Sequence, residues 1–377
     1  MPASINMTES TGDALTGEVS LRDNMKKKRL NIAMLTQLLR EEYGFAPPVS
    51  CSLHRPGMSD VYKVVAGETF YLKVYRPNIY DKRDYEEEAF ITHSLNERGI
   101  RTAAPVPRLD GGFVMTLPLE VTRYAVLYRE AVNAPSGDEV ARFFILGQAT
   151  AKMHAIADEQ AYKISRPPID FDYLVTKPLE VIRQVMRGKK RKEKFEHFSK
   201  AMHELRDYIA KRLTTEPPLF GFCHGDVHPS NVFFDGDEPV FFDFDTMGCG
   251  WRAHDIGALV TNACGYIQAP VENKDLLEFR DSETGKAFFE GYNAVRRLTE
   301  REMECIDAFA IMRLLWALAI NLDRRYRPPL QDLLRGKKAV IMLLFLPLRK
   351  NMLMHILGGA FNRQYDKWKS ARKSSAG

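Results

Sequence analysis

The chain holds 377 residues, 45% of them hydrophobic, with a net charge of +5. That is enough apolar material for a large globular core in one or two domains, and it excludes extended disorder away from the ends. Five scattered cysteines (Cys51, Cys223, Cys249, Cys264 and Cys305) form no CxxC pair, which excludes a disulfide or zinc framework and points to a reducing, cytoplasmic setting.

Residues 1–24 carry no apolar core, so no secretory segment is read there, and a flexible tail over 1–29 is expected. Asn31 is placed to cap a helix through Leu35, Leu38 and Leu39 to about Tyr43, where Gly44 stops it. The period then changes. Val61 to Val65 and Thr69 to Tyr75 read as strands joined at Ala66 to Glu68. The turn before them, Arg55 to Asp60, gives this hairpin the shape of a phosphate cover with Gly57 and Ser59 as contacts; having one glycine, it reads equally as a plain hairpin. Lys73 lies inside the second strand, and an ammonium is costly to bury unless it meets negative charge. The helix that follows offers Glu86, Glu87 and Glu88; inward-facing Tyr85, Ala89 and Leu95 are compatible with Glu88 without deciding among the three.

Pro105 and Pro107 keep the next segment extended. A turn at Gly111-Gly112 leads to a strand over Arg123 to Arg129, which runs into Ala134 to Gly137. From Asp138 the pattern is helical, with Phe143, Gly147, Ala151 and His154 at helix spacing, and His154 is read as a packed core histidine. Arg166 to Asp170 interrupts the helices, and two more follow, around Pro178 to Arg187 and Glu193 to Leu213.

The most informative stretch is Phe222 to Asp255. Val232 to Phe234 and Val240 to Phe242 are apolar runs joined by Asp235 to Pro239, a hairpin that sets Asn231 beside Asp243. Phosphoryl transfer from a magnesium nucleotide needs a carboxylate near the acceptor hydroxyl and oxygen ligands for the metal. Asp226 suits the first need and Asn231 with Asp243 the second. Asp245, two residues on and on the same face of an extended segment, competes with Asp243. Farther on, the ten apolar residues Ala339 to Leu348 fall short of the ~20 that span a bilayer and read as a buried helix, so no transmembrane span is expected. The basic clusters Lys26 to Arg29 and Arg187 to Lys194 read as solvated faces, and without aromatic interleaving no nucleic-acid partner is expected.

HGDVHPSN, followed by FFDFD and HDIG, resembles the signature of the aminoglycoside phosphotransferase and choline kinase superfamily. The resemblance implies an α+β, two-lobed protein-kinase-like fold, with a five-stranded antiparallel small lobe over a mainly helical large lobe and ATP with Mg2+ in the cleft. By residue, it implies 1–29 as tail, 30–133 as the nucleotide-binding lobe, 134–362 as the catalytic and acceptor-binding lobe, and 363–377 as a basic tail. It selects Asp243 over Asp245 as metal ligand, favours Glu87 over Glu88 as the partner of a phosphate-holding Lys73, and sets the backbone from Tyr128 to Glu130 at the adenine edge. His224 and Asp255 would support the catalytic loop, while His228, Cys223 and Cys249 are left structural. YRPNIYDKRDYEEEAF, RPPID and MRLLWALA are similar to the bacterial stress-response kinase branch, which phosphorylates protein Ser/Thr, although the loop at Arg55 to Asp60 departs from it.

The acceptor stays open between protein Ser/Thr and a small molecule of the homoserine, choline or aminoglycoside type. A nucleotide-gated binding module without catalysis is disfavoured because every catalytic position is filled. The family builds its acceptor pocket from helices such as those of 158–215, and here Arg166, Lys177, Arg183, Arg187 and Lys189 to Lys194 make that segment basic. Such a field ranks polycationic aminoglycosides below a protein or a neutral-to-anionic hydroxyl compound.

Overall fold

The computed structural model describes residues 30–56, 59–186, 189–264, 275–323 and 358–373. Expectations for the N-terminal tail, Gly57, Arg187 and the run Ala339 to Leu348 lie outside them, as do the side chains of residues 187–191.

The chain opens with α1, Ile32–Tyr43. Asn31 accepts a hydrogen bond from the Ala33 amide, and Gly44 ends the helix at φ 69°, a left-handed conformation that favours glycine. Five strands follow: β1 Ser50–Arg55, β2 Asp60–Ala66, β3 Glu68–Val74, β4 Val114–Leu117 and β5 Arg123–Arg129. They form one antiparallel sheet in the order β1-β2-β3-β5-β4. Side-chain alternation gives each face a separate core. Val64, Leu72 and Leu127 pack with Leu35 and Leu39 of α1, whereas Val114 and Val126 pack with Tyr85 and Ala89 of α2, Lys82–Glu97. Lys73 falls between Leu72 and Val74, so its side chain leaves on the α2 side and reaches the cleft.

A short strand, β6 (Ala134–Pro135), pairs with β8 (Val232–Gly236) and leads into the large lobe. That lobe comprises α3 Glu139–Gln160, α4 Lys177–Val185, α5 Lys189–Ala210, α6 Arg252–Ala263, α7 Glu283–Val295 and α8 Glu300–Leu322. Two antiparallel pairs line its upper face: β7 Phe220–Cys223 with β10 Gly248–Trp251, and β8 Val232–Gly236 with β9 Glu238–Phe241. Helices α3 and α7 pack backbone to backbone. A Cβ at Gly147 would lie 2.1 Å from the Phe288 carbonyl oxygen, and one at Gly291 1.9 Å from that of Phe144. Apart from Arg313, helix α8 is apolar on every side from Ala308 to Ile320 and the helix is long enough to cross a membrane, yet 83% of its most apolar stretch is buried in the protein, as befits a central core helix.

Two features differ from the sequence reading. Residues 358–373, where a basic tail was expected from 363, form a helix, α9; Phe361, Tyr365 and Trp368 recur on one face and are buried in the large-lobe core. The segment after β9 is not extended. Asp243 turns at φ 67° into a short 3-10 turn, Phe244–Thr246, so Asp243 and Asp245 converge through a turn and not through strand alternation.

Candidate active site

The catalytic loop is held from below. Both carboxylate oxygens of Asp255, in the first turn of α6, accept backbone amides: His224 to Oδ2 and Gly225 to Oδ1, each at 2.7 Å. The ring of His154 completes the set at 3.1 Å, and its other nitrogen meets the Tyr292 hydroxyl at 2.8 Å. His154, Cys223 and Asp255 cluster closely enough for a metal, but these oxygens already accept hydrogen bonds, so the group latches the loop. Above it, His224 Nδ1 accepts the Asp226 amide at 3.3 Å and Nε2 donates to the Phe242 carbonyl at 3.2 Å. Gly225 sits at φ 81°, where a Cβ would fall 2.1 Å from the Thr246 carbonyl oxygen. Glycine there lets the loop carrying Asp226 lie directly against the turn carrying Asp243 and Asp245.

Asp226 is ringed by donors. Arg313 of α8 ion-pairs with Oδ1, while Asn231 Nδ2 at 3.2 Å and His228 Nε2 at 3.4 Å meet Oδ2. Burial alone would raise its pKa; Arg313, then His228 and His224, outweigh that and hold the carboxyl well below the usual range. The Phe242 amide donates to the Asn231 carbonyl at 3.0 Å, which brings Asn231 and Asp243 together across the β8–β9 hairpin. Asn231 spends its amide nitrogen on Asp226 and leaves its amide oxygen for a cation. Lys73 Nζ stands 2.6 Å from both Asp243 and Asp245. Desolvation opposes its charge, but the two carboxylates override it and keep the ammonium protonated. Burial pushes Asp245 up to about 7, helped by Asp243 and Glu88 and opposed by Lys73; Asp243, despite burial, is drawn down by Lys73. The ionised Asp243, with Asp245 and the Asn231 amide oxygen alongside, makes the hard oxygen donor set that suits a divalent cation such as magnesium.

The glutamates of α2 go elsewhere. Glu88, 1% exposed, accepts from Arg166 Nη2 at 2.6 Å, Tyr75 at 3.1 Å and Tyr128 at 3.4 Å. Glu87 accepts from the Ser165 amide and hydroxyl and from Arg83, and Glu86 accepts from the Phe113 and Val114 amides. The Glu87 expectation is therefore corrected: helical rotation turns it away from the cleft, and Lys73 finds its counter-charge in Asp243 and Asp245. Tyr128 is corrected as well. Strand β5 is paired on both edges there, with Tyr71 on one side and with the Arg129-to-Ala104 amide bond on the other, so the backbone of Tyr128 is not open to a base, while Glu130 lies beyond that pairing. The phenol instead meets Tyr75 at 2.9 Å.

Two cavities meet at Arg55 and Asp243. One, of about 210 Å3, runs under the sheet along Val61, Lys73, Tyr128, Ala131, Phe233 and Phe242. The other, of about 300 Å3, is lined by Ser59, Tyr80, Asp226, Asn231, Arg313 and Trp316 among others. Of the described residues of 158–215, Tyr173 alone lines the second cavity. Arg166 is buried behind the cavity wall, against Tyr80 and the Asp245 carbonyl and paired with Glu88, and Lys177 pairs with Asp172 at the surface, so neither of these cations of the segment lines the cavity. Its cations are Arg55, Arg76 and Arg313. Arg313 went unassigned at the sequence level, although a lone arginine in the apolar run AFAIMRLLWALA signals a buried charge that needs a partner.

A family model for the phosphotransferase enzyme family matches residues 50–292. The chain belongs to that family. An uncharacterized protein of Synechocystis sp. is 28% identical over 297 residues, which cover 77% of each chain. The amicoumacin kinase of Bacillus subtilis is 29% identical over 183 residues, covering 47% of this chain and 52% of that protein. Among solved structures, an amicoumacin kinase in complex with AMP-PNP, Ca2+ and Ami superposes with a TM-score of 0.64 at 19% identity, covering 91% of this chain and 96% of the other. The fold is thus the two-lobed, protein-kinase-like one, and the protein is a kinase with an alcohol group as acceptor.

Proposed function

We propose that the protein transfers the γ-phosphate of magnesium-bound ATP to a hydroxyl group of a small molecule. The observation that carries this reading is the junction of the two cavities: Asp243 borders both, with Lys73 in the first and Asp226 in the second. The first cavity, walled by Val61, Phe233 and Phe242, suits a nucleotide base, with Ala131 the lining residue just beyond the strand pairing. Lys73 would hold phosphate oxygens, and Asn231 and Asp243, with Asp245 beside them, would hold the metal. Magnesium, when bound, supplies charge neutralisation at the transferring phosphoryl group. Asp226 aims the acceptor hydroxyl and takes its proton late; ionised and tightly paired, it contributes more as an orienting acceptor than as a strong base. A cavity of about 300 Å3 with Tyr80, Tyr85, Tyr173 and Trp316 in its walls fits a compact ligand, which favours a small molecule over a protein side chain, in line with the amicoumacin kinase likeness.

Calorimetric titration with AMP-PNP, with and without magnesium, tests the division of labour. Asp226→Asn should keep magnesium-dependent binding, and Asp243→Ala should lose its metal-dependent part. Equal effects from the two changes would refute the assignment.

A further inference from the structure

Glu87 and Glu88 meet the same dipeptide of the large lobe. Glu87 accepts from the Ser165 amide at 2.7 Å and its hydroxyl at 2.6 Å, and Glu88 accepts from Arg166 at 2.6 Å. Arg166 does more than pair. Its Nη1 donates to the carbonyl oxygens of Asp245 at 3.0 Å and Phe244 at 3.4 Å, Nη2 also reaches the Asp84 carbonyl at 3.3 Å, and the guanidinium lies 4.2 Å from the Tyr80 ring centre. The side chains of Arg166 and Glu88 are each 1% exposed.

One guanidinium therefore ties helix α2 to the backbone of the turn that carries Asp243 and Asp245. An outside grip on that turn matters because Asp243 adopts a left-handed conformation, which aspartate tolerates better than most residues but which still carries a backbone cost. A planar fork with five donors can grip a carboxylate and carbonyl oxygens at once; an ammonium on a lysine stem cannot match that geometry. A buried ion pair contributes little net stability compared with apolar packing, so its value here lies in the geometry it fixes.

We propose that Arg166 is a positioning residue for the metal-binding turn. It takes over from Lys73 the task of holding the α2 glutamate, which leaves the Lys73 ammonium to the carboxylates of Asp243 and Asp245 and to phosphate. The proposal rests on the reading of Asp243 as a metal ligand.

The test uses the full chain, AMP-PNP titrations with and without magnesium, and thermal melts without metal, on Arg166→Met, Arg166→Lys, Glu88→Gln and the Arg166→Met/Glu88→Gln double variant. Arg166→Met and Glu88→Gln should each cut the magnesium enhancement of nucleotide affinity by about tenfold, the usual cost of losing a group that orients a ligand. Metal-free affinity should stay close to wild type in Arg166→Met, and the double variant should be no worse than the worse single change in magnesium enhancement. Arg166→Lys can keep the Glu88 pair without spanning the carbonyls, so it should recover the melting temperature but not the magnesium enhancement. Should Arg166→Met fail to fold, Arg166→Lys decides alone. A lysine that restores both readouts, or a methionine that lowers the melt with magnesium enhancement intact, would show Arg166 to be structural only. A wild-type protein without any magnesium enhancement would overturn the metal assignment of Asp243 and this proposal with it, and the wild-type titration tells that failure apart from the others.

Discussion

Replacing Arg313 by methionine while leaving Asp226 in place isolates the pair at the centre of the site. The guanidinium is 3% exposed, donates to the Gly225 carbonyl at 3.0 Å as well as to Asp226, and lies 4.0 Å from the Trp316 ring centre. Methionine keeps the apolar packing on Trp316 and removes the charge. Breaking a buried pair from one side costs about 3–5 kcal/mol. Asp226 is 24% exposed and retains Asn231 and His228, so screening and residual partners lower the expected loss to roughly 2–3 kcal/mol. Asp226→Asn strands the guanidinium instead and should cost a similar amount. The double variant has neither charge to strand and should lose about 1–3 kcal/mol less than the sum of the singles. Urea unfolding of the four proteins at pH 7 measures this coupling. Additivity within about 0.5 kcal/mol would mean that the two groups act independently and that Arg313 does not hold Asp226.

Lys73→Ala should weaken nucleotide binding and also lower the melting temperature, because Asp243 and Asp245 then face each other without their shared ammonium. Magnesium should raise the melt of this variant more than that of wild type, and Lys73→Arg should not restore affinity fully; unchanged nucleotide affinity in Lys73→Ala would refute the role. Burial holds the imidazoles of His154 and His254 at about 4, below their unfolded value, so each contributes stability that is present above about pH 6.5 and lost as pH falls toward 4. His254 has neither ring nitrogen hydrogen-bonded and packs edge-on to Phe309. His254→Leu should therefore remove its share of the acid sensitivity, up to ~3 kcal/mol between those pH values, and parallel stability curves for the two proteins would contradict it.

What the sequence made legible was local. The change of period after Gly44 and the turn at Ala66 to Glu68 marked β2 and β3, Asn31 and Gly44 bounded α1, and the hairpin spacing set Asn231 beside Asp243, since each depends on residues near one another along the chain. The clasp was not legible, because Ser165 and Arg166 meet Glu87 and Glu88 across 78 positions of chain, and an arginine before two prolines reads locally as a helix break. The apolar run of α8 announced a core helix, but only packing shows that its arginine lands on Asp226. Helix α9 was masked by its lysines and arginines, which outnumber the aromatic residues of the buried stripe in that stretch.

The most direct measurement is transfer of radiolabelled phosphate from γ-labelled ATP, with and without magnesium, to parallel panels of small hydroxyl metabolites, aminoglycosides and an acidic protein. The proposed function predicts magnesium-dependent labelling of at least one small hydroxyl compound by the wild-type protein, falling by ~10²- to 10⁴-fold in Asp226→Asn. Labelling of the protein substrate alone, or transfer undiminished in Asp226→Asn, would contradict it.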